Sequence, residues 1–429
     1  MHKINPSKLY ILVGVLVLSF VLPGLSLTTP TPQAQDIGVS EVIYFPFFGF
    51  QQIKPTSTSY YLPTVDGSFL YGLGCEQGRK DLENPGIQDT VTVLDFSYPV
   101  FEAGLGYGAA LFEDNPLGPH TPPASTDAIQ QGAKQFALVY YHCTGTDTQS
   151  NLVIGVGTNN KSTSIKIDTQ AKAHGKAWGR MISELNQWAF NQNIFHQIQF
   201  YGASDMEVSW NTPSWTRAWI SGFEENNDIL LLHFGDAAGC PYDENPHWSC
   251  GPNWEVEDVW YVSWGAPSAL PLPLIYLTNG VHAKQWAYLS QYSVENHGFR
   301  MDFTGVFTQW QYCQQFTWCH GTDNNSQAAH DQMIAELDKH PETRQALKWK
   351  TDIRWIRETE VNGAHNIGRQ SQLAFQDHPI FQEITKIDTA LTQADLSPLL
   401  RTSLEAKSRI YHLMADRIQI STLASAPKD

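Results

Sequence analysis

The sequence predicts an α/β protein: a (β/α)8-type TIM barrel, somewhat irregular, with an N-terminal extension and a C-terminal helical hairpin. Three observations point there. From Thr90 onward, short apolar runs alternate with amphipathic stretches, the pattern of parallel strands covered by helices. Eight such runs fit within about 265 residues, the size of a closed barrel rather than an open sheet. Acids, amides and large aromatics follow several of the runs, where barrels carry their chemistry.

In chain order, 1–26 reads as a secretory signal. Lys3 and Lys8 precede the apolar run Leu9–Leu22, and Pro23-Gly24 ends it. Left uncleaved, the same run is long enough to anchor the chain in a membrane. Residues 27–68 form a Pro/Thr/Gln linker and an aromatic-rich extension packed on the main domain. The barrel is placed at 69–360. Its strands are Thr90–Phe96, Leu152–Gly157, Ile198–Ala203, Ile229–Phe234, Val259–Trp264, Leu272–Leu277, Phe303–Thr308 and Thr351–Trp355. Helices are placed around Ile129–Tyr140, Trp178–Ala189, Val281–Val294 and Ala328–Leu337, from apolar residues at helical spacing. Thr212-Pro213 adds an N-cap followed by proline, opening another. Texture changes after Trp355, and 369–420 reads as a helical hairpin opened by His378-Pro379 and Ser397-Pro398.

Composition narrows the function. The chain has 429 residues, a formal charge of −16 and only 16% charged residues, with 14 Trp. That field repels nucleic acid, and few charges with many aromatics fit an exported protein. Six cysteines suit the same oxidising compartment. Sequence proximity pairs Cys240 with Cys250 and Cys313 with Cys319, leaving Cys75 for Cys143. No CxxC, HExxH, GxSxG or P-loop pattern occurs, so no metal or cofactor is expected.

The central stretch is IQFYGASDMEVSW (Ile198–Trp210), where a strand hands over to a helix and carries Asp205 and Glu207. Residues two apart on a strand leave the same face, so the two acids form a candidate carboxylate pair. Glu207 is assigned the general acid, Asp205 the second carboxylate and Asp95 the third choice. Asn159, Asn160, Trp210, Asp236, Trp264, Tyr276 and Trp310 are the candidate substrate contacts: amides for hydroxyls, aromatic faces for sugar rings. A metal pair of His233 and Asp236 is a weaker alternative, set against a core histidine.

VLDFSYP (Val93–Pro99), GASDMEVSW (Gly202–Trp210) and TQWQY (Thr308–Tyr312) loosely resemble the lysozyme-like family 25 glycoside hydrolases and related glycoside-hydrolase-like barrels. The resemblance implies an acidic cluster of Asp95, Asp205 and Glu207. It departs in the position of TQWQY and in lacking the family's YHF-type stretch. GVGTNN (Gly155–Asn160), DAAGC (Asp236–Cys240) and DVWYVSWGA (Asp258–Ala266) look more closely like a group of secreted actinobacterial-type proteins to which no activity is attached. The expected function is cleavage of a glycosidic bond in an extracellular or cell-wall polysaccharide. The alternative is a non-catalytic carbohydrate-binding or surface protein.

Overall fold

Each apolar run sends alternate side chains to opposite faces, so a sheet with both faces covered needs apolar residues on both. The computed structural model describes residues 56–357, apart from 113–121, 146, 226–227, 243–248 and 317–318, together with 360, 387 and 401. The expected signal segment at 1–26 lies outside the described residues, as does the helical hairpin at 369–420 save for two positions. Eight strands form one sheet: β1 (Ser57–Tyr61), β2 (Asp89–Asp95), β3 (Asn151–Asn159), β4 (Ile198–Asp205), β5 (Leu231–His233), β6 (Ala269–Pro271), β7 (Gly305–Thr308) and β8 (Trp349–Trp355). Neighbouring strands are parallel and follow chain order, with β1 seated between β2 and β8. The ends of the sheet nearly close. Thr304 N donates to Pro271 O, Phe307 N to Pro273 O and Ile275 N to Phe307 O, each at 2.9 Å. The result is a barrel-like, all-parallel sheet compatible with the TIM type.

Two apolar layers follow from the alternation. One fills the barrel: Val91, Val93, Val153, Ala203, Leu232, Phe234, Leu272, Leu274, Phe307, Trp349 and Ile353. The other lies between sheet and helices, where Leu94, Ile154, Val156 and Phe200 meet Phe136, Trp178, Leu185 and Trp219. The covering helices are α1 (Gly67–Glu83), α2 (Thr126–Cys143), α3 (Asp168–Asn191), α4 (Pro213–Phe223), α5 (Val256–Trp260), α6 (Val281–His297), α7 (Trp310–Gln314) and α8 (Ser326–Leu337). Between β2 and α2 the chain makes an antiparallel hairpin, Tyr98–Glu102 with Gly106–Ala110. Gly104 and Gly106 turn it with positive φ (92° and 84°).

His174 of α3 ties three elements together. Its Nε2 donates to Gly108 O (2.8 Å) and its Nδ1 accepts from Trp219 Nε1 (2.9 Å). Burial lowers its pKa to about 4, so the ring stays neutral and each nitrogen has one fixed role. It is a core histidine.

Three expected elements are corrected. The strand expected at Leu272–Leu277 lies just before it, at Ala269–Pro271, and of the expected run only Leu274 is bridged, to Phe307. Val259–Trp264 is helical, not a strand: Glu255 and Asp258 cap each other's ends reciprocally, α5 follows, and Ala266 N then donates to Tyr261 O across one wide turn. The eighth strand comes instead from Ser57–Tyr61, inside the stretch read as an extension, and α1 follows it. Serines hide this strand from a hydrophobicity reading. Ser57 Oγ donates to Lys350 O (3.2 Å), and the Ser59 and Thr351 hydroxyls are hydrogen-bonded at 2.7 Å, so polar side chains are accommodated inside the barrel floor. In consequence Asp95 ends the second strand rather than the first.

The three expected disulfides are present: Cys75–Cys143, Cys240–Cys250 and Cys313–Cys319. They fit an oxidising compartment. No described helix is long and apolar enough to cross a membrane. Cys75–Cys143 joins α1 to α2 across 68 residues, so the Cys75→Ala/Cys143→Ala pair should lower unfolding free energy by about 3–4 kcal/mol. Urea titration of oxidised wild type against the double variant checks this; equal midpoints would refute it.

Candidate functional site at the barrel mouth

Followed toward its carboxyl end, the inward-facing series of several strands changes from apolar to polar. Val91 and Val93 lead to Asp95, Ala203 to Asp205, Leu232 and Phe234 to Asp236, and Leu272 and Leu274 to Tyr276. Asn159 aligns with Asp205 across the β3–β4 pair. Tyr61 aligns with Asp95 on one side and Trp355 on the other. One ring of side chains at the mouth is therefore carboxylate, amide and aromatic, resting on the barrel's apolar plug.

The acids are enclosed. Asp95 is 1% exposed, Asp205 5% and Asp236 3%, while Glu207 is half-buried. Asp95 Oδ1 accepts from Ser97 N (2.9 Å), but Asp95 Oδ2 and Asp205 Oδ1 have no hydrogen-bond partner. Native proteins seldom leave buried polar atoms in that state, so these oxygens are open to a donor from a ligand or from water. Burial raises Asp95 to about 7. Burial, with repulsion from Glu207, Asp95 and Asp236, raises Asp205 well above the usual carboxylate range. Burial and the charge of Asp236 raise Glu207 to about 8. The acids share protons, and at neutral pH they do not all ionise.

Neighbours fix these acids in place. Asp236 accepts from Tyr276 Oη (2.8 Å) and from Ala238 N (2.9 Å). Asn160 clasps the backbone of Glu207: its Oδ1 accepts from Glu207 N (3.1 Å), and its Nδ2 donates to Glu207 O (3.0 Å) and Thr216 Oγ1 (3.2 Å). With its amide so engaged, Asn160 positions Glu207 instead of offering itself to a ligand. Ser97 holds a left-handed φ of 73° beside Asp95, strain of the kind that collects at functional turns. Gly235, at the end of β5, lies against the backbone of Met206, between the two acids. A Cβ there would overlap Met206 O and lie 2.7 Å from Met206 N. Gly235→Ala should therefore shift Asp205 and Glu207 and cost about 1–3 kcal/mol of stability. Thermal unfolding with a crystal structure of the variant would check both; an unmoved Met206 would refute it.

An aromatic platform borders the acids. Tyr61 lies 4.8 Å from Phe112, 5.5 Å from Tyr312 and 5.5 Å from Trp355, centroid to centroid. Phe112 meets Trp355 at 4.9 Å, and Phe316 meets Tyr312 at 4.8 Å. All five rings are half-buried. Tyr61 links platform and acids: it aligns with Asp95, and burial first, then the charges of Asp205 and Asp95, push its phenol well above its ordinary value. The sequence reading missed this group because its members come from four separate places.

Other expected residues fall elsewhere. Trp264 packs on the layer outside the barrel, so it is not at the mouth. Trp210 N donates to Glu207 O (3.2 Å), closing the turn after the acids, and its ring is half-buried. Trp310 opens α7 with its N donating to Asp352 Oδ1 (2.8 Å) and its ring 41% exposed. His233 points out of the barrel against Trp286, away from Asp236. Among the described residues no three His, Cys, Asp or Glu side chains gather as metal ligands.

The fold and site together define a parallel-barrel protein with an acid- and aromatic-lined mouth. No family model matches the chain, and no curated protein matches it.

Proposed function

We propose that the protein is an exported glycoside hydrolase that cleaves a glycosidic bond in an extracellular or cell-wall polysaccharide. One observation carries the reading: buried carboxyls with unpartnered oxygens at the carboxyl ends of β2 and β4, beside half-buried aromatic rings. Glycosidic cleavage needs a protonated carboxyl to load the leaving oxygen and an ionised one to meet the oxocarbenium-like centre. Glu207 suits the first role. It is the least enclosed of the acids, within reach of solvent for reprotonation, and it holds its proton to about pH 8. Asp205 lies deeper and is assigned the second carboxylate, with Asp95 the third choice; because these acids raise one another's pKa, a proton held by Glu207 favours the charged form of Asp205. Aromatic faces beside them stack sugar rings, and Asn159 and Tyr276 meet hydroxyls.

A carbohydrate-binding protein without chemistry would hold Asp205 or Glu207 in an ion pair or a helix cap. Instead, α4 is capped by Thr212, whose hydroxyl accepts from Trp215 N (3.3 Å). The three disulfides and the apolar run at 9–22 support export. The test is reducing-sugar release from a panel of cell-wall and plant polysaccharides, comparing wild type with Glu207→Gln. Release that disappears in the variant is expected; no release from any substrate, or release indifferent to the substitution, ends the proposal.

A further inference from the structure

The mouth has a sign as well as a shape. The side chains acting on Asp205 are Glu207, Asp95 and Asp236, all acidic. Lys161 is the cation acting on Glu207, and its side chain is exposed. Two enclosed carboxylate oxygens, Asp95 Oδ2 and Asp205 Oδ1, lack donors, and five aromatic rings adjoin them through Tyr61. A neutral hydroxyl would supply a hydrogen bond there but leave like charges facing one another. An ammonium supplies donors and opposite charge together, and aromatic faces attract cations as well. A uronic acid would add a further negative charge to a crowded site.

Building on the hydrolase reading, we infer that this mouth selects glycans carrying free amino groups, unacetylated hexosamine chains, from Asp95 and Asp205 with unpartnered oxygens beside the Tyr61–Trp355 aromatic platform. The protonated amine sits against the carboxylates while the ring stacks on the aromatics. The overall charge of −16 draws such polycations toward the protein. Burial that lifts Asp95 to about 7 is the cost of a bare carboxylate, which a bound ammonium offsets.

The experiment is calorimetric titration of the full chain carrying Glu207→Gln, with glucosamine hexamers, their N-acetylated counterparts, glucose hexamers and galacturonate hexamers. The amine form is expected to bind at least tenfold more tightly than the acetylated one. That preference should shrink when Asp205→Asn or Asp95→Asn is added, each checked for a cooperative melt. Two substitutions keep the test usable if one variant fails to fold. Acetylated or neutral hexamers binding as tightly as the amine form would overturn the inference. So would amine binding unchanged by both substitutions, which would mark a general attraction to an acidic surface. Failure of the hydrolase reading looks different. Amine hexamers would then bind with the predicted preference, yet wild type would release no reducing ends from them. Conversely, cleavage of a neutral glycan with no amine preference would leave the hydrolase standing and remove the selectivity.

Discussion

Glu207→Gln is expected to lower kcat/KM by about 10²–10⁴-fold on a glycan the wild type cleaves, with the fold and the platform intact. The amide keeps the shape of the side chain and the clasp of Asn160 on its backbone, but it cannot deliver a proton. The pH profile carries a second, sharper expectation. Glu207 is protonated up to about pH 8, so activity should fall along an alkaline limb near that value. Burial is the first cause of the raised pKa and the negative charge of Asp236 the next. Asp236→Asn removes that charge, so the limb should move to lower pH while remaining an alkaline limb. A limb that stays in place in Asp236→Asn, or activity retained in Glu207→Gln, would remove Glu207 from the role of acid.

Asp95→Asn should make the protein more stable at pH 8 and leave it nearly unchanged at pH 4. The sign follows from the folded-state pKa of about 7 against an ordinary 3.8. The folded protein holds this proton more tightly than the unfolded chain, so its stability is full below about pH 4 and declines as pH rises toward 7. Above that, wild type carries a buried charge that asparagine does not. Three pKa units correspond to about 4 kcal/mol, and relaxation around the carboxylate brings the expected gain to about 2–4 kcal/mol. Urea unfolding at both pH values measures it. A loss of stability at pH 8, or an equal change at both, would show that Asp95 is not held as an uncompensated acid. A gain accompanied by lost activity would be the trade expected of a residue kept for function.

Much of the molecule is legible in the sequence where a local signal is strong. The amphipathic residues Trp178, Met181, Ile182 and Leu185 lie on the buried side of α3, and Thr212-Pro213 opens α4 as its capping chemistry requires. Val91, Val93 and Asp95 show how period-two alternation places an acid at the mouth without any long-range information. Failures came where one signal competed with another. Val259–Trp264 is apolar enough for a strand, and the capping pair Glu255 and Asp258 just upstream was the signal that decides for helix. Ser57–Tyr61 has no apolar alternation, because two of its three inward positions are serines paired with partners almost 300 residues away. The aromatic platform is a product of the tertiary fold: Tyr61, Phe112, Tyr312, Phe316 and Trp355 have no common spacing. Trp264 lies away from the mouth because the stretch that carries it is helical and ends no strand.

The pairing of β1 with β8 has a bearing on how the chain is made. Ser57–Tyr61 waits for Thr351–Trp355 before its second edge is satisfied. During synthesis, or emergence from a translocation pore, the first strand can join β2 early but must stay half-paired until nearly the whole barrel sequence is out. Contacts of such long sequence separation form slowly, because the entropy of closing the intervening loop is spent before the contact exists. Until then β1 presents an open edge of unpaired backbone groups. Another strand adding to that edge through backbone hydrogen bonds would hold the barrel half-built, and docking of Thr351–Trp355 removes that opportunity.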